Sequence, residues 1–316
     1  AVSDVLSAPP PSPTRGEGST FAGRRWFFVI VLILLGVSWG STQALGKMAT
    51  ATGHEPLGLI VWQSLIAVAV LSALCLMRGK GLVLSRRTVP FYVVISLIGT
   101  VVPNVTFYTA VRELPAGIMS ILISAVPLLA FPMALAMRQD RFSWVRVCGL
   151  MLGLLGVVMI LGPDTGGDVA LLWVMVALVG PLCYALEATF VAWKGTPGID
   201  PIQAILGASV VSLVITTPLA LATGQWVDPF PMARPEVALL ILATLSAVVY
   251  AAYIWLAMAA GSVFTSQVSY IVTGSGVLWA MVLLGERFQP VVWLALVAML
   301  AGVALVHPRA ARAGEV

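Results

Sequence analysis

The sequence predicts an all-α polytopic membrane protein: ten transmembrane helices in a five-plus-five inverted repeat, with both termini in the cytoplasm. Three observations predict it. Of 316 residues, 60% are hydrophobic and only 9% charged, and the mean hydropathy is +1.02. A soluble domain carries roughly 25% charged residues because it must present a wet surface, so lipid has to be the solvent for most of this one. Apolar runs of about 20 residues, the length that crosses a bilayer, recur ten times. The chain also resembles itself at a spacing of 146 to 147 residues.

The spans follow in order, separated by turn-forming residues. The first covers 26–47 and stops before ATGHEP at 51–56. The second, 58–77, ends at MRGKG, 77–81. The third and fourth cover 90–111 and 115–137, and the fifth, 142–161, ends in LGPDTGG, 161–167. The sixth, 170–193, stops at KGTPGID, 194–200. The seventh, 202–222, precedes the longest connection, ATGQWVDPFPMARPE at 222–236. The eighth, ninth and tenth cover 237–260, 264–284 and 290–307. Loops this short leave no room for a separate soluble domain.

Basic residues give the orientation. With a cytoplasmic N-terminus, thirteen Lys and Arg fall inside and four outside, namely Lys47, Arg112, Arg234 and Arg287. The opposite insertion would violate the positive-inside rule. Residues 1–22, rich in Pro, Ser and Gly, read as a disordered tail and not a signal peptide, because no apolar core precedes a cleavage site. The repeats are expected at 23–165 and 166–308, with a short tail at 309–316.

The repeat places Asp140-Arg141-Phe142 on Glu286-Arg287-Phe288, and Gly156 on Gly302. A shift of 147 places Trp26 on Trp173, Thr42 on Thr189 and Lys47 on Lys194. Five spans per unit is an odd number, so the second unit enters the membrane from the other side. Inverted repeats of this kind occur in secondary transporters, with the substrate site near the midplane.

Polar side chains deep in apolar spans are costly unless they face protein or water. Trp39, Gln43 and Lys47 share one helical face, as do Thr100, Asn104 and Tyr108. The sixth span carries Tyr184 and Glu187, the eighth Ser246, Tyr250 and Tyr253, and the ninth Ser266, Gln267, Tyr270 and Thr273. The expected substrate-binding set is Trp39, Gln43, Asn104, Tyr108, Tyr184, Glu187, Tyr250, Tyr253, Gln267 and Tyr270. Their functional reading is a cavity for a zwitterion or a flat, mildly polar molecule; their structural reading is helix-to-helix hydrogen bonding. Glu187, the one acid well inside a span, is either a proton carrier or a structural acid paired with Tyr, Lys194 or backbone. Lys47 either snorkels to the interface or guides a carboxylate.

Trp26, Trp144, Trp173, Trp193 and Trp226 fall at span ends and read as interfacial anchors. Cys75, Cys148 and Cys183 read as small buried hydrophobes, with no metal spacing and no disulfide framework. Prolines inside spans kink helices. Pro127 in the fourth span, and Gly274 and Gly276 at the matching point of the ninth, are the expected hinges.

Ten helices in five-plus-five order, Trp39-Gly40 followed by Lys47, and an acidic-Arg-Phe step after the fourth and ninth spans resemble the drug/metabolite transporter superfamily, EamA type. Within it, the chain resembles bacterial aromatic amino-acid exporters over residues 26–307. The resemblance implies a multi-pass transporter of the bacterial inner membrane that exports amino acids or similar metabolites by alternating access. Its partners would be a small-molecule substrate and the bilayer, not nucleic acid. With both repeats in one chain a monomer is expected. A proton-coupled multidrug antiporter is the alternative, although the position matching Glu187 in the first span is Gly40, so an acid pair is missing. No cofactor or metal is expected, and no phosphate-binding glycine loop is present. Nothing in the sequence pairs a nucleophile with a base or builds a selectivity filter, which disfavours an enzyme or a channel.

Overall fold

The computed structural model describes residues 17–138, 142–161 and 168–306. Residues 1–16 and 309–316 of the expected tails, Asp140 and Arg141, and the expected boundary at 165/166 lie outside the described residues. Among the described residues all regular structure is helical.

In chain order the helices are α1 (Glu17–Ala49), α2 (Pro56–Met77), α3 (Thr88–Ser96), α4 (Val102–Glu113), α5 (Ala116–Ile123), α6 (Val126–Ala136) and α7 (Trp144–Ile160). They continue with α8 (Asp168–Lys194), α9 (Pro201–Ala222), α10 (Arg234–Ala260), α11 (Ser262–Thr265), α12 (Val268–Leu284) and α13 (Pro290–Val306). Seven stretches are long and apolar enough to cross a membrane, and 144–160, 268–284 and 290–306 are shorter apolar helices. Together they occupy the ten expected spans. Helix α1 begins within the stretch read as tail, because extending a formed helix needs no new nucleus.

Two spans that read as single helices are broken. The third is α3 and α4 joined by a π-helical turn, Leu97–Val101. There the Val102 N–H donates to Leu97 O, five residues back. Pro103 has no N–H for the regular ladder, and beside it Asn104 Nδ2 donates to Thr100 O at 2.8 Å. The fourth span breaks between α5 and α6 at Ser124 and Ala125, just ahead of Pro127.

Helix pairing carries the repeat. Equivalent spans meet as α2 with α9, α7 with α13 and α5 with α12. Helix α1 packs on α10 and α12, and its counterpart α8 packs on α4 and α6. A pseudo-two-fold axis produces this pattern. At the α7–α13 crossing the symmetry reaches individual atoms. A methyl group added at Gly302 would lie 2.6 Å from Gly149 O, and one at Gly156 would lie 3.0 Å from Ala295 O. Gly156 and Gly302, and Gly149 and Ala295, are repeat mates at a spacing of 146. Small residues allow this approach, which supplies van der Waals contact where lipid offers no hydrophobic drive.

Polar ties fasten both ends of the bundle. Asp200 caps α9 by accepting from Ile202 N–H at 3.0 Å, and it also accepts from Arg78 (3.0 and 3.1 Å) and Lys80 (2.7 Å). Burial pushes its pKa up, but these hydrogen bonds outweigh burial and hold it below the ordinary aspartate value. On the other face His54 Nε2 lies 2.6 Å from Glu236 Oε1. Arg112 reaches Glu55 at 3.3 Å and also bonds His54 O. Trp26, Trp144, Trp193 and Trp226 are exposed, as anchors should be, but Trp173 packs against the α5–α7–α13 core. Cys75 and Cys183 are buried, whereas Cys148 is exposed on α7 and not the buried hydrophobe expected.

Two outcomes are expected for purified protein in detergent. Gly302→Val forces α7 and α13 apart, and overpacking of about 1–3 kcal/mol lowers the thermal midpoint by several degrees. Asp200→Ala loses a cap worth about 1 kcal/mol. Because the folded pKa is lowered, that stability is complete above the ordinary aspartate range and disappears as pH falls through the lowered value. The gap in midpoint between wild type and Asp200→Ala should therefore close on acidification.

Candidate functional site

A cavity of about 670 Å³ lies where the two halves meet. Both repeats line it. From the first come Trp39, Gln43, Gln63, Gly99, Asn104, Tyr108 and Pro127, and from the second Tyr184, Glu187, Ser246, Tyr250, Tyr253 and Thr273. Eight of the ten expected substrate-binding residues are therefore on its wall.

Three rings form one corner. Trp39 meets Tyr250 edge to face with centroids 5.9 Å apart, and Tyr253 at 5.6 Å. The two tyrosine rings are 6.3 Å apart. A face and an edge are thus both available to a flat guest. Tyr108 is fully buried and donates its hydroxyl to Gln63 Oε1 at 3.0 Å. With its carbonyl oxygen engaged, Gln63 keeps its amide N–H groups for the cavity.

Glu187 lies against the π-turn. A methyl group at Gly99 would overlap its carboxylate, so a side chain there would push the carboxyl out of this position. The phenols of Tyr184 and Tyr250 are within electrostatic reach of it. Among the described residues none donates a hydrogen bond to Glu187, and no Lys, Arg or His lines the cavity. Of the structural partners the sequence suggested, Lys194 instead sits 5.2 Å over the Trp193 ring.

Gln267 and Tyr270 do not line the cavity. The ninth span is broken between α11 and α12, and Ser269, Val272 and Thr273 face inward. At helical spacing, 267, 270 and 274 fall on another face. Gln267 is exposed and Tyr270 packs beside the α5–α7–α13 core. Gly274 and Gly276 are not at a break, since α12 runs uninterrupted through both. A methyl group at Gly276 would strike Ser120 and lie 3.2 Å from Gly40 O, so this glycine serves close packing of α1, α5 and α12. Gln63, Ser64 and Gly99 were not singled out from sequence. Gln63 is the single amide in its span, and Gly99 is distinguished only by the turn it occupies.

Lys47 is not in the cavity. It donates to Leu114 O at 2.7 Å and pairs with Glu286 at 3.9 Å. Glu286 accepts from the first two N–H groups of α5, Ala116 at 2.8 Å and Gly117 at 3.0 Å. A carboxylate on a helix N-terminus satisfies donors the helix cannot. The Phe288 ring occupies the space a side chain at Gly117 would need. The acidic-Arg-Phe step of the second repeat thus latches the loop after α12 to α5 at the Lys47 face. On the Lys194 face the counterpart Phe142 is 55% exposed and packs on Trp144. Among the described residues Lys194 makes no ion pair, and the cavity extends toward that face as far as Val191 and Ser266.

The sequence profile of the EamA-like transporter family matches residues 26–162 and 171–307. The chain is similar to the uncharacterized transporter YvbV of Bacillus subtilis, at 27% identity over 64% of each chain. It is also similar to proteins named S-adenosylmethionine/S-adenosylhomocysteine transporter, at 24% identity over 91% of both chains for Chlamydia trachomatis. For Chlamydia muridarum the figures are 24% identity over 91% of this chain and 94% of that one. A crystal structure shares the fold with TM-score 0.59 and 16% identity, covering 89% of this chain and 97% of the other.

The latch gives a direct expectation. Glu286→Gln removes a charge-assisted pair of bonds, each worth about 1.5–3 kcal/mol, and a shift of 1.4 kcal/mol is about tenfold in population. In protein whose own cysteines are replaced by serine, a cysteine at Ser246 should react with an impermeant maleimide mainly from the Lys194 face. Glu286→Gln should raise labelling from the Lys47 face about tenfold; unchanged labelling would show that the latch does not hold that face.

Proposed function

The chain belongs to the EamA-like transporter family, and from that premise we propose that it is a secondary transporter exporting amino acids, aromatic ones first, or similar small metabolites by alternating access. The observation that carries this reading is the cavity of about 670 Å³ built jointly by the two repeats. That volume lies within the roughly 300–1,000 Å³ of small-molecule sites. The Trp39, Tyr250 and Tyr253 rings match a flat apolar group, and the amides of Gln43, Gln63 and Asn104 match a polar end.

In this proposal the structure corresponds to the state closed at the Lys47 face. Loaded protein would exchange the Glu286 latch for contacts on the opposite face, moving the cavity's opening without moving its wall far. Basic residues support a cytoplasmic Lys194 face and cytoplasmic termini, in a bacterial inner membrane, with one chain acting as a monomer.

A second reading has adenosyl sulfonium metabolites as the cargo. The relatives named for S-adenosylmethionine and S-adenosylhomocysteine support it, since they match along 91% of this chain. Proton-coupled export of drugs is a third reading, supported by Glu187 alone.

Purified protein in proteoliposomes distinguishes these readings. Labelled phenylalanine, tryptophan, alanine, S-adenosylmethionine and a cationic dye are offered with and without a pH gradient. Saturable tryptophan and phenylalanine flux without a gradient is expected, reduced tenfold or more by Trp39→Ala. Flux of S-adenosylmethionine alone would favour the second reading, and gradient-driven dye movement without amino-acid flux would favour the third.

A further inference from the structure

Glu187 is a carboxylate that the protein does not satisfy. It sits inside a membrane-spanning bundle, where an ionised group without a partner is strongly disfavoured. No described residue donates a hydrogen bond to it, and the described cavity wall holds no basic side chain. Helix-to-helix bonding, the structural explanation for polar residues in spans, therefore does not account for it. Its position is nonetheless built. The π-turn at Leu97–Val101 brings the Gly99 backbone against the carboxyl, and any side chain at Gly99 would displace it.

The surroundings specify what would complete the site. Tyr250 is within electrostatic reach of Glu187 and is also one of the three rings around Trp39. A negative group and a cluster of π faces thus share one residue. Aromatic faces attract cations through the ring quadrupole, and desolvation strengthens the attraction. A carboxylate on the cargo would meet only neutral amides and hydroxyls, which accommodate it without demanding it.

We propose that Glu187, seated against Gly99 and adjoining the rings at Tyr250, is the charge-selecting subsite of the cavity: the cargo carries a cationic centre beside a flat ring and requires no carboxylate. This rests on the cavity being the transport site, and it fixes the charge that the cargo must bear. Gly99 is a positioning residue, acting through Glu187.

The test is competition against labelled tryptophan and direct binding of labelled tryptamine to purified full-length protein. Tryptamine keeps the ammonium and ring and lacks the carboxylate. Indole-3-propionate keeps the ring and carboxylate and lacks the ammonium. Tryptamine should bind at least as well as tryptophan, and indole-3-propionate at least tenfold more weakly. Glu187→Gln should erase that difference, and Glu187→Asp should restore part of it. Gly99→Ala should weaken tryptamine tenfold or more, with little further loss in the Gly99→Ala, Glu187→Gln double variant, because both act on one group. Thermal midpoints near wild type confirm that the variants fold. Tryptamine binding without tryptophan binding would remove the amino-acid reading and leave the subsite standing. Equal binding of tryptamine and indole-3-propionate, or a ranking unchanged in Glu187→Gln, would overturn the subsite while leaving export intact.

Discussion

Lipid cannot hydrogen-bond, and most of this architecture follows from that. Backbone groups in the hydrocarbon must be satisfied within helices, and polar side chains must turn toward one another or toward water. Here they turn toward a single place. Trp39, Gln43, Gln63, Asn104, Tyr184, Glu187 and Tyr250 come from five spans and share one cavity. The outer surface is left to residues such as Leu172, Val214, Val282 and Val297, all strongly exposed. The irregular backbone obeys the same constraint. The Leu97–Val101 turn and the break at Ser124 both border the cavity, and side chains add bonds to carbonyls there, as Asn104 does to Thr100 O and Ser124 Oγ does to Ile121 O.

The second organising feature is the repeat. Where helices only need to pack, the halves match closely. Gly156 and Gly302 make the same approach to repeat-mated partners across α7 and α13. Thr42 and Thr189 are both buried, and each hydroxyl bonds a carbonyl of its own helix. At the ends of the bundle the halves part company. Glu286 and Phe288 are engaged with α5, while Phe142 lies exposed.

Much of this was legible in the sequence for a specific reason. Apolar run length located all ten spans, and spacing of three or four identified the faces of α1, α4, α8 and α10 that reach the cavity. The errors have equally specific causes. Gln267 and Tyr270 were grouped with Ser266 and Thr273 as though one continuous helix carried them; the break at 266–267 and the different face of 267 and 270 separate them. Lys47 continued the Trp39 and Gln43 face on paper, but at the end of the span a loop carboxylate, Glu286, claims it. That partner lies 239 residues away, beyond the reach of local pattern. Gly99 carried no signal at all, because its role comes from a side chain on another helix.

The position of Glu187 shows how a symmetric scaffold acquires an asymmetric site. At the spacing of 147 its repeat mate is Gly40. Gly40 packs so closely on α12 that a methyl group there would lie 2.8 Å from Gly276 N. A carboxylate could not occupy that place, since it would separate α1 from α12 and lose the packing that holds the halves together. In the second repeat the same position points instead at Gly99, where the π-turn and the absence of a side chain open a space. The glycine has changed sides: in one half it belongs to the helix that packs, in the other to the backbone opposite. Ancestral symmetry thus constrains the frame, and departure from it at one pair of positions places a single charge in an otherwise neutral cavity. If the cavity is the transport site proposed above, the cargo must answer that charge, and the break in symmetry, more than the size of the cavity, would determine what the protein carries.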